Sequence, residues 1–260
     1  MNLLEAIILG LIQGLTEFLP VSSSGHLELG KQLFGIDHES NFYFSIAVHG
    51  ATVLSTLIVL RNEIIGLLKG FFRFRWNEET IYIAKIVISM IPTAIAGFYL
   101  KEIAENFFTG NMITLGLEFI ATSVLLLLTL YIRPREREIG FWDSFIIGIA
   151  QAIAIIPAIS RSGATIFAGL VQGVKPQEAV KYSFLLSVPA ILGANILELF
   201  SLSSQGMGTI NIFDYSIGFL AAFISGFFAI KLVSKLLLNR KFLFFAIYCV
   251  VVAGVALLVD

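Results

Sequence analysis

The chain has 260 residues, of which 57% are hydrophobic and 13% charged, and its formal net charge is −1. A soluble domain carries roughly 25% charged residues, so this chain lacks the polar surface of a water-soluble globule, and its near-neutral charge excludes a basic nucleic-acid footprint. A single cysteine, Cys249, excludes both a disulfide framework and a cysteine metal cluster.

The first apolar stretch, 3–19, has no basic residue ahead of it and is expected to remain in the protein rather than be removed as a signal peptide. It runs into Pro20 and a serine-rich turn, and a short apolar piece follows at 25–34. Such a short helical piece rises only ~15 Å, half the hydrocarbon core of a bilayer. Residues 3–35 are therefore expected to form a re-entrant helical hairpin that enters and leaves on one side. Three stretches near the length of a spanning helix come next, at 41–60, 81–100 and 112–132. The pattern then restarts. Segment 143–156 ends at Pro157 and a second serine-rich turn, with a short apolar piece at 163–173, so 143–173 is expected to be a second hairpin. Spans are expected at 180–200, 213–237 and 242–259. The predicted fold class is an all-α integral membrane protein, one membrane domain over 1–260, with six transmembrane helices and two re-entrant hairpins.

The restart is an internal repeat. Gly10, Gln13, Ser22, Ser24 and Gly25 recur, at one constant offset, as Gly148, Gln151, Ser160, Ser162 and Gly163. The register continues from Phe44-Ser45 to Tyr182-Ser183 and from Val53-Leu54 to Ile191-Leu192, while Pro20 and Pro157 are out of step by one. The halves are about 1–138 and 139–260, each with one hairpin and three spans. An odd number of spans inverts the second half relative to the first, and broken helices in inverted halves mark a site near the membrane midplane.

Basic residues set the orientation. Arg61, Lys69, Arg73 and Arg75 follow the first span, and Arg133, Arg135 and Arg137 follow the third. Lys175 and Lys181 precede the fourth, and Lys231, Lys235, Arg240 and Lys241 surround the junction of the fifth and sixth. The opposite loops hold little more than Lys31 and Lys101. The positive-inside rule places both termini outside the cytoplasm of a multi-pass cell-membrane protein. Trp76 and Trp142 fall at cytoplasmic boundaries, as interfacial anchors do. The first hairpin then enters from outside and the second from the cytoplasm, so their tips meet.

In the first tip, Gln13 and Glu17 lie one helical turn apart on the same face. Ser22, Ser23 and Ser24 suit the N-cap of the returning helix, ahead of Gly25 and His26. The second tip, Pro157 to Thr165, repeats this with Ser160, Ser162 and Gly163 and adds the guanidinium of Arg161. Two helix N-termini, several hydroxyls and an arginine suit phosphate, and two facing ends suit a diphosphate. Such turns also simply cap helices, and Glu17 can be read as a protonated structural acid. Arg161 is harder to explain structurally, because a cation at membrane depth costs a few kcal/mol and normally has a functional partner. Glu28, Glu118, Glu198 and Lys85 belong to no repeated turn and are read as paired or snorkelling groups. His49, inside the first span, either packs there or reaches the site.

These motifs resemble a known family, the undecaprenyl-diphosphate phosphatases of the bacitracin-resistance type. The first family signature, Glu/Gln-x-x-x-Glu running into Phe-Leu-Pro-Val-Ser-Ser-Ser/Thr-Gly-His, stands here from Gln13 to His26. The second, Pro-Gly-x-Ser-Arg-Ser-Gly-x-Thr, stands from Pro157 to Thr165 with Ala158 in place of Gly. Gln13 replaces the Glu of many members, and His49-Gly50-Ala51-Thr52 differs from the common His-Leu-Gly-Thr. The resemblance implies removal of the terminal phosphate from a polyprenyl diphosphate, recycling a lipid carrier for envelope polymers.

The residue types support that activity independently. Glu17 beside a polyanion calls for protonation or a bridging divalent cation, Mg²⁺ or Ca²⁺, with Glu17 as its protein ligand. Arg161 would neutralise the transferring phosphoryl group. Gln13, Ser22, Ser24, Gly25, Ser160, Ser162, Gly163 and Thr165 form the expected substrate-binding set. The catalytic set is Glu17, His26, Ser23 and Arg161, with Ser23, His26 or an activated water each open as nucleophile. The expected partners are the prenyl diphosphate and membrane lipids, with a homo-oligomer left open. A rival reading is a transporter or flippase that binds a lipid phosphate without hydrolysis, since inverted broken helices are common in transporters.

Overall fold

The computed structural model describes residues 1–36, 42–99, 111–132, 136–155, 159–202, 212–238 and 241–258. They form eleven helices: α1 (Leu3–Thr16), α2 (Ser23–Leu33), α3 (Phe42–Val59), α4 (Arg61–Phe71), α5 (Glu78–Tyr99), α6 (Met112–Thr129), α7 (Phe141–Ile153), α8 (Arg161–Val171), α9 (Pro176–Leu202), α10 (Ile212–Leu238) and α11 (Phe242–Leu258). Pro157, Ala158, Lys101, Arg133, Arg135 and Arg240 lie outside the described residues. Among the described residues the only extended pairing is an isolated bridge between Arg137 and Val174.

Among the described residues four helices, α5, α6, α9 and α10, are long and apolar enough to cross a membrane, and α3 with α4 would make a fifth if counted as one bent span. The chain is thus a multi-pass helical membrane protein. The apolar run expected at 41–60 does not end in a loop: after Val59 the chain bends by 76° and continues as α4. Ile65, Leu68 and Phe71 on α4, and Phe72, Phe74 and Trp76 beyond it, are exposed among Arg61, Lys69, Arg73 and Arg75. This mixture of aromatic and basic side chains suits the bilayer interface rather than its core.

The helices of both expected hairpins are too short to span. At the α-helical rise per residue, α1 (14 residues) and α7 (13 residues) each reach only ~20 Å. In both, an acidic residue of the first turn accepts from the backbone amide of the N-cap residue, and in α1 the N-cap returns the bond. Asn2 Oδ1 accepts from the Glu5 amide at 3.0 Å and Glu5 Oε2 accepts from the Asn2 amide at 2.7 Å. Asp143, the counterpart of Glu5 in the repeat, accepts from the Gly140 amide at 2.6 Å. Each helix is followed by a shorter helix packed against it, α2 or α8.

Packing is criss-crossed between the halves. Helix α1 lies against α10, and α7 against α5. Glycines set these approaches: a Cβ on Gly10 would collide with the Gly218 carbonyl, and one on Gly14 with Ser225 and the Ala222 carbonyl. A Cβ on Gly148 would collide with the backbone of Ser89. In lipid there is little hydrophobic drive between helices, so close backbone approach over small residues supplies the attraction. Hydroxyl groups fasten the same seams. Ser89 Oγ donates to the Ser144 carbonyl at 2.5 Å, and Ser55 Oγ donates to the Phe223 carbonyl at 2.8 Å. The partner residues also repeat, but at a shorter offset than the hairpins do. Ser89 and Pro92 face Gly148, while their counterparts Gly218 and Ala221 face Gly10. Ile95-Ala96-Gly97-Phe98 and Ile224-Ser225-Gly226-Phe227 are related by that same shorter offset.

Candidate active site

The two tips meet at Glu17. Helix α1 ends at Thr16, so Glu17 sits at its C-cap, with Gln13 one turn earlier on the same face. Gln13 Nε2 donates to Glu17 Oε2 at 2.7 Å, and Ser23 Oγ donates to the same oxygen at 2.7 Å. Arg161, the first residue of α8, reaches across from the other half and its Nη2 donates to Glu17 Oε1, forming an ion pair. The carboxylate is almost completely buried, at 4% exposure. A buried carboxylate is tolerable only with such partners.

The tips are joined by backbone as well. Ser162 Oγ donates to the Leu19 carbonyl at 3.0 Å, and Gly163 packs against Pro20. The N-terminus of α2 begins at Ser23 and that of α8 at Arg161, so both helix starts abut the Glu17 carboxylate. Ser22 and Ser160 cap them alike, accepting from the amides of Gly25 at 3.3 Å and Gly163 at 3.2 Å. Ser22 holds a positive φ of 65°. That conformation costs a non-glycine residue on the order of 1–3 kcal/mol, so the first turn is a strained one.

The expected hydroxyls divide into two groups. Ser23 is only part-buried and bonded to Glu17, and Ser24 is exposed, with its hydroxyl 3.5 Å from that of Ser22. The second-tip hydroxyls are committed to the protein. Thr165 Oγ1 donates to its own helix or to Ser183 on α9, 2.7 Å away, and Ser160 Oγ lies 3.2 Å from Ser162 Oγ. Ser160 also gives its amide to Thr122 Oγ1 at 3.1 Å.

His26 is not turned towards Glu17. Its Nδ1 donates to the Ser22 carbonyl at 2.8 Å, and its Nε2 lies 2.8 Å from the Tyr248 hydroxyl. With Nδ1 bearing the proton, Nε2 of a neutral ring accepts from Tyr248. The ring stacks on Tyr248 and meets the edge of Phe119. Among the described residues, the imidazole nearest Glu17 is that of His49 on α3, 3.9 Å from Oε2. Sequence spacing gives no way to rank the two, because His49 approaches through the packing of α3 and not within the tip. Glu118 is a further neighbour that the motifs do not mark. Its carboxylate lies close to Gly25, whose Cβ position is 3.5 Å from Oε2. Lys85, in contrast, donates to the Ile139 carbonyl at 2.7 Å, a structural role.

Two buried atoms at the junction have no hydrogen-bond partner: Gln13 Oε1 and Arg161 Nη1. An acceptor and a donor left unpaired beside a carboxylate are costly unless something binds there. Nη1 suits an anion, and Oε1 with Glu17 suits the oxygen-rich shell of a hard cation. Among the described residues no group of three or more His, Cys, Asp and Glu could cage a metal alone. The donor set therefore fits an ion shared with phosphate oxygens and water, not one held by the protein only.

Comparison with known proteins shows the family. The profile of the family described as bacitracin resistance protein BacA matches residues 6–255. The chain belongs to this family. An undecaprenyl-diphosphatase of Bacteroides thetaiotaomicron is 45% identical over 262 residues, covering 100% of this chain and 99% of its own. One from Carboxydothermus hydrogenoformans is 41% identical over 100% of this chain and 97% of its own, and one from Thermosipho africanus is 40% identical over 97% and 98%. The match to the BacA family thus extends from α1 to α11.

Proposed function

We propose that the protein is an undecaprenyl-diphosphate phosphatase, which removes the terminal phosphate of a polyprenyl diphosphate and returns the monophosphate carrier to envelope synthesis. The observation that carries this reading is the shared carboxylate: Glu17 takes the Ser23 hydroxyl at 2.7 Å on one oxygen and the Arg161 guanidinium of the opposite tip on the other. A serine held on a carboxylate, next to an arginine with an unpaired N–H, suits phosphoryl transfer through a serine.

In the step we assign, Ser23 Oγ attacks the terminal phosphorus while Glu17 takes its proton. The bridging P–O bond breaks and prenyl monophosphate leaves. Water then cleaves the phosphoserine, releasing inorganic phosphate and restoring the serine. Arg161 exchanges Glu17 for the phosphoryl oxygens and offsets the charge that develops on them. The first-turn amides of α2 and α8, which have no intrahelical acceptor, add a fixed positive field. The Ser22 and Ser160 caps, Gly25 and Gly163 shape these two helix starts; Ser162 ties them together and Thr165 holds α8 on α9. A divalent cation, Mg²⁺ or Ca²⁺, would be held by Glu17 and Gln13 Oε1 and would bridge to the diphosphate, screening its charge. His26, bonded to Tyr248, supports the turn that carries Ser23 in this reading.

The finer topology belongs to the same proposal. Six spans and two hairpins form inverted halves of about 1–138 and 139–260, with both termini outside. The criss-crossed packing of α1 on α10 and α7 on α5 supports it, as does the separate repeat that relates the partner segments on α5 and α10. The test of function is phosphate release from a long-chain prenyl diphosphate by purified protein, with and without a chelator. Tight binding of that lipid without any release of phosphate would overturn the proposal in favour of a carrier.

A further inference from the structure

Both tips are braced by one pair of helices. Helices α6 and α11 pack side by side, and Ser123 Oγ on α6 donates to the Ala246 carbonyl on α11 at 2.8 Å. From α11, the Tyr248 hydroxyl meets Nε2 of His26, in the first turn of α2. From α6, the Phe119 ring meets His26 edge-on, and three residues later Thr122 Oγ1 accepts the backbone N–H of Ser160 at 3.1 Å. Thr122 is fully buried and Ser160 is 3% exposed, so this bond is shielded from water.

Ser160 is the N-cap of α8 and stands directly before Arg161. Its carbonyl accepts from the Ala164 amide at 2.8 Å and its hydroxyl from the Gly163 amide at 3.2 Å, both within its own turn. The bond to Thr122 ties that turn to a neighbouring helix. On the other side of Arg161, Ser162 Oγ is tied to the Leu19 carbonyl of the first tip. The arginine is therefore flanked by two anchors, one to α6 and one to the opposite hairpin. The first tip is braced through the side chain of His26, whereas the second is braced through the main chain, next to the residue that must act.

We propose that Thr122 is a positioning residue for Arg161, a role that rests on the phosphatase reading above. In that reading the guanidinium exchanges Glu17 for phosphoryl oxygens, so the side chain moves while its backbone must hold still. The cap decides where the backbone of Arg161 starts. With Thr122 in place, the cap cannot turn without leaving a buried N–H unpaired, which costs about as much as a lost hydrogen bond. Thr122 thus fixes the point from which the guanidinium swings.

The test uses full-length purified protein in nanodiscs. Thr122→Val keeps the shape and removes the acceptor; it should lower kcat by ~10- to 100-fold, more than it raises KM, the scale of a misplaced catalytic group. Thr122→Ser, which keeps the hydroxyl, should return turnover to within about threefold of wild type. Ser123→Ala removes a neighbouring buried hydroxyl that faces α11, and should leave turnover within about twofold even where it lowers the unfolding midpoint. Beside Arg161→Ala, in single turnovers, Thr122→Val should add little, since coupled residues are not additive. If Thr122→Val does not accumulate as folded protein, Thr122→Cys, whose thiol is a weak acceptor, should fall between wild type and the predicted loss. Near-normal turnover in Thr122→Val or Thr122→Cys overturns the proposal. So does a loss that Thr122→Ser fails to rescue, that Ser123→Ala reproduces, or that persists undiminished beside Arg161→Ala. If wild-type protein releases no phosphate, the phosphatase reading falls and the Thr122 role with it. An active wild type indifferent to Thr122 removes the positioning role alone.

Discussion

The two hairpin tips share a backbone plan and divide the chemistry between them. Both end a short helix, turn through a serine cap and start another helix with a glycine in its first turn. Yet in the register of the repeat Glu17 answers to Ile155, Ser23 to Arg161, His26 to Ala164 and His49 to Ser187. The first half holds the acid, the hydroxyl and both imidazoles; the second supplies the cation. The repeat supplies two facing helix starts with different side chains; in the proposed reading one cradles the nucleophile and the other clamps negative charge. Gln13 and Gln151 show the same split. Gln13 is bonded to Glu17, whereas Gln151 Nε2 donates to Thr93 Oγ1 on α5 at 3.0 Å.

The largest effect should come from the position where the tips differ most. Ser23→Ala should lower turnover by ~10³-fold or more, the scale of losing a nucleophile that acts as part of a unit. Wild-type protein quenched during turnover should carry serine-linked phosphate. Robust hydrolysis by Ser23→Ala without any phosphoenzyme would assign the attack to water and reduce the first tip to a binding element. On the other side of the comparison, Arg161→Lys keeps the charge but loses the planar fork that spans two oxygens. A loss of ~10²-fold in kcat is expected, measured as phosphate release by folded variant. Near-normal turnover in Arg161→Lys would show that the second tip needs only a charge.

Much of this plan is legible in the sequence, and the exceptions have physical causes. The repeated Gly, Gln and Ser positions announce both pairs of short helices, because the chain there must break and recap a helix, which only a few residue types do. Glu17, Ser23 and Arg161 are marked by cost, since polar groups at membrane depth require partners. What spacing cannot show is which side chains arrive from elsewhere. His49 comes to Glu17 through the packing of α3, and Tyr248 comes to His26 from α11. The partners of α1 and α7 are also obscured, because the offset of the repeat shortens before α10 and hides the match of Ile95 to Phe98 with Ile224 to Phe227. Amphipathic α4 is hidden for a different reason: its apolar and basic residues follow an apolar run without a break, so hydropathy alone merges them.

An intermediate effect is expected from the seams. Gly14→Leu drives a side chain into Ser225 and the α10 backbone, and Gly148→Leu drives one into Ser89 on α5. Neither seam can yield, because the obstructing atoms include main chain. Both variants should fold poorly, with a lower midpoint for thermal unfolding in detergent. If the halves are equivalent the two should fail to a similar degree. A large difference would mean that one hairpin is held chiefly by its tip contacts and the other by its helix seam.

The smallest expected effect concerns His26, which the first tip has and the second lacks. Both ring nitrogens are already satisfied, by the Ser22 carbonyl and the Tyr248 hydroxyl, each at 2.8 Å. A ring so placed serves the turn: it pins Ser22, the residue in the strained positive-φ conformation, and thereby fixes where Ser23 stands. Tyr248→Phe removes one donor while keeping the aromatic stack, so its cost is that of a single hydrogen bond, about 1 kcal/mol. Turnover should fall less than ~10-fold, with thermal stability slightly reduced and KM little changed. A general base at His26 would behave otherwise. Freeing Nε2 would then alter the pH dependence of kcat, and His26→Gln would be as damaging as Ser23→Ala. Measuring pH profiles for wild type, Tyr248→Phe and His26→Gln separates the two. An unchanged profile with a modest, rescuable loss places His26 in the scaffold of the turn and leaves the proton transfer to Glu17.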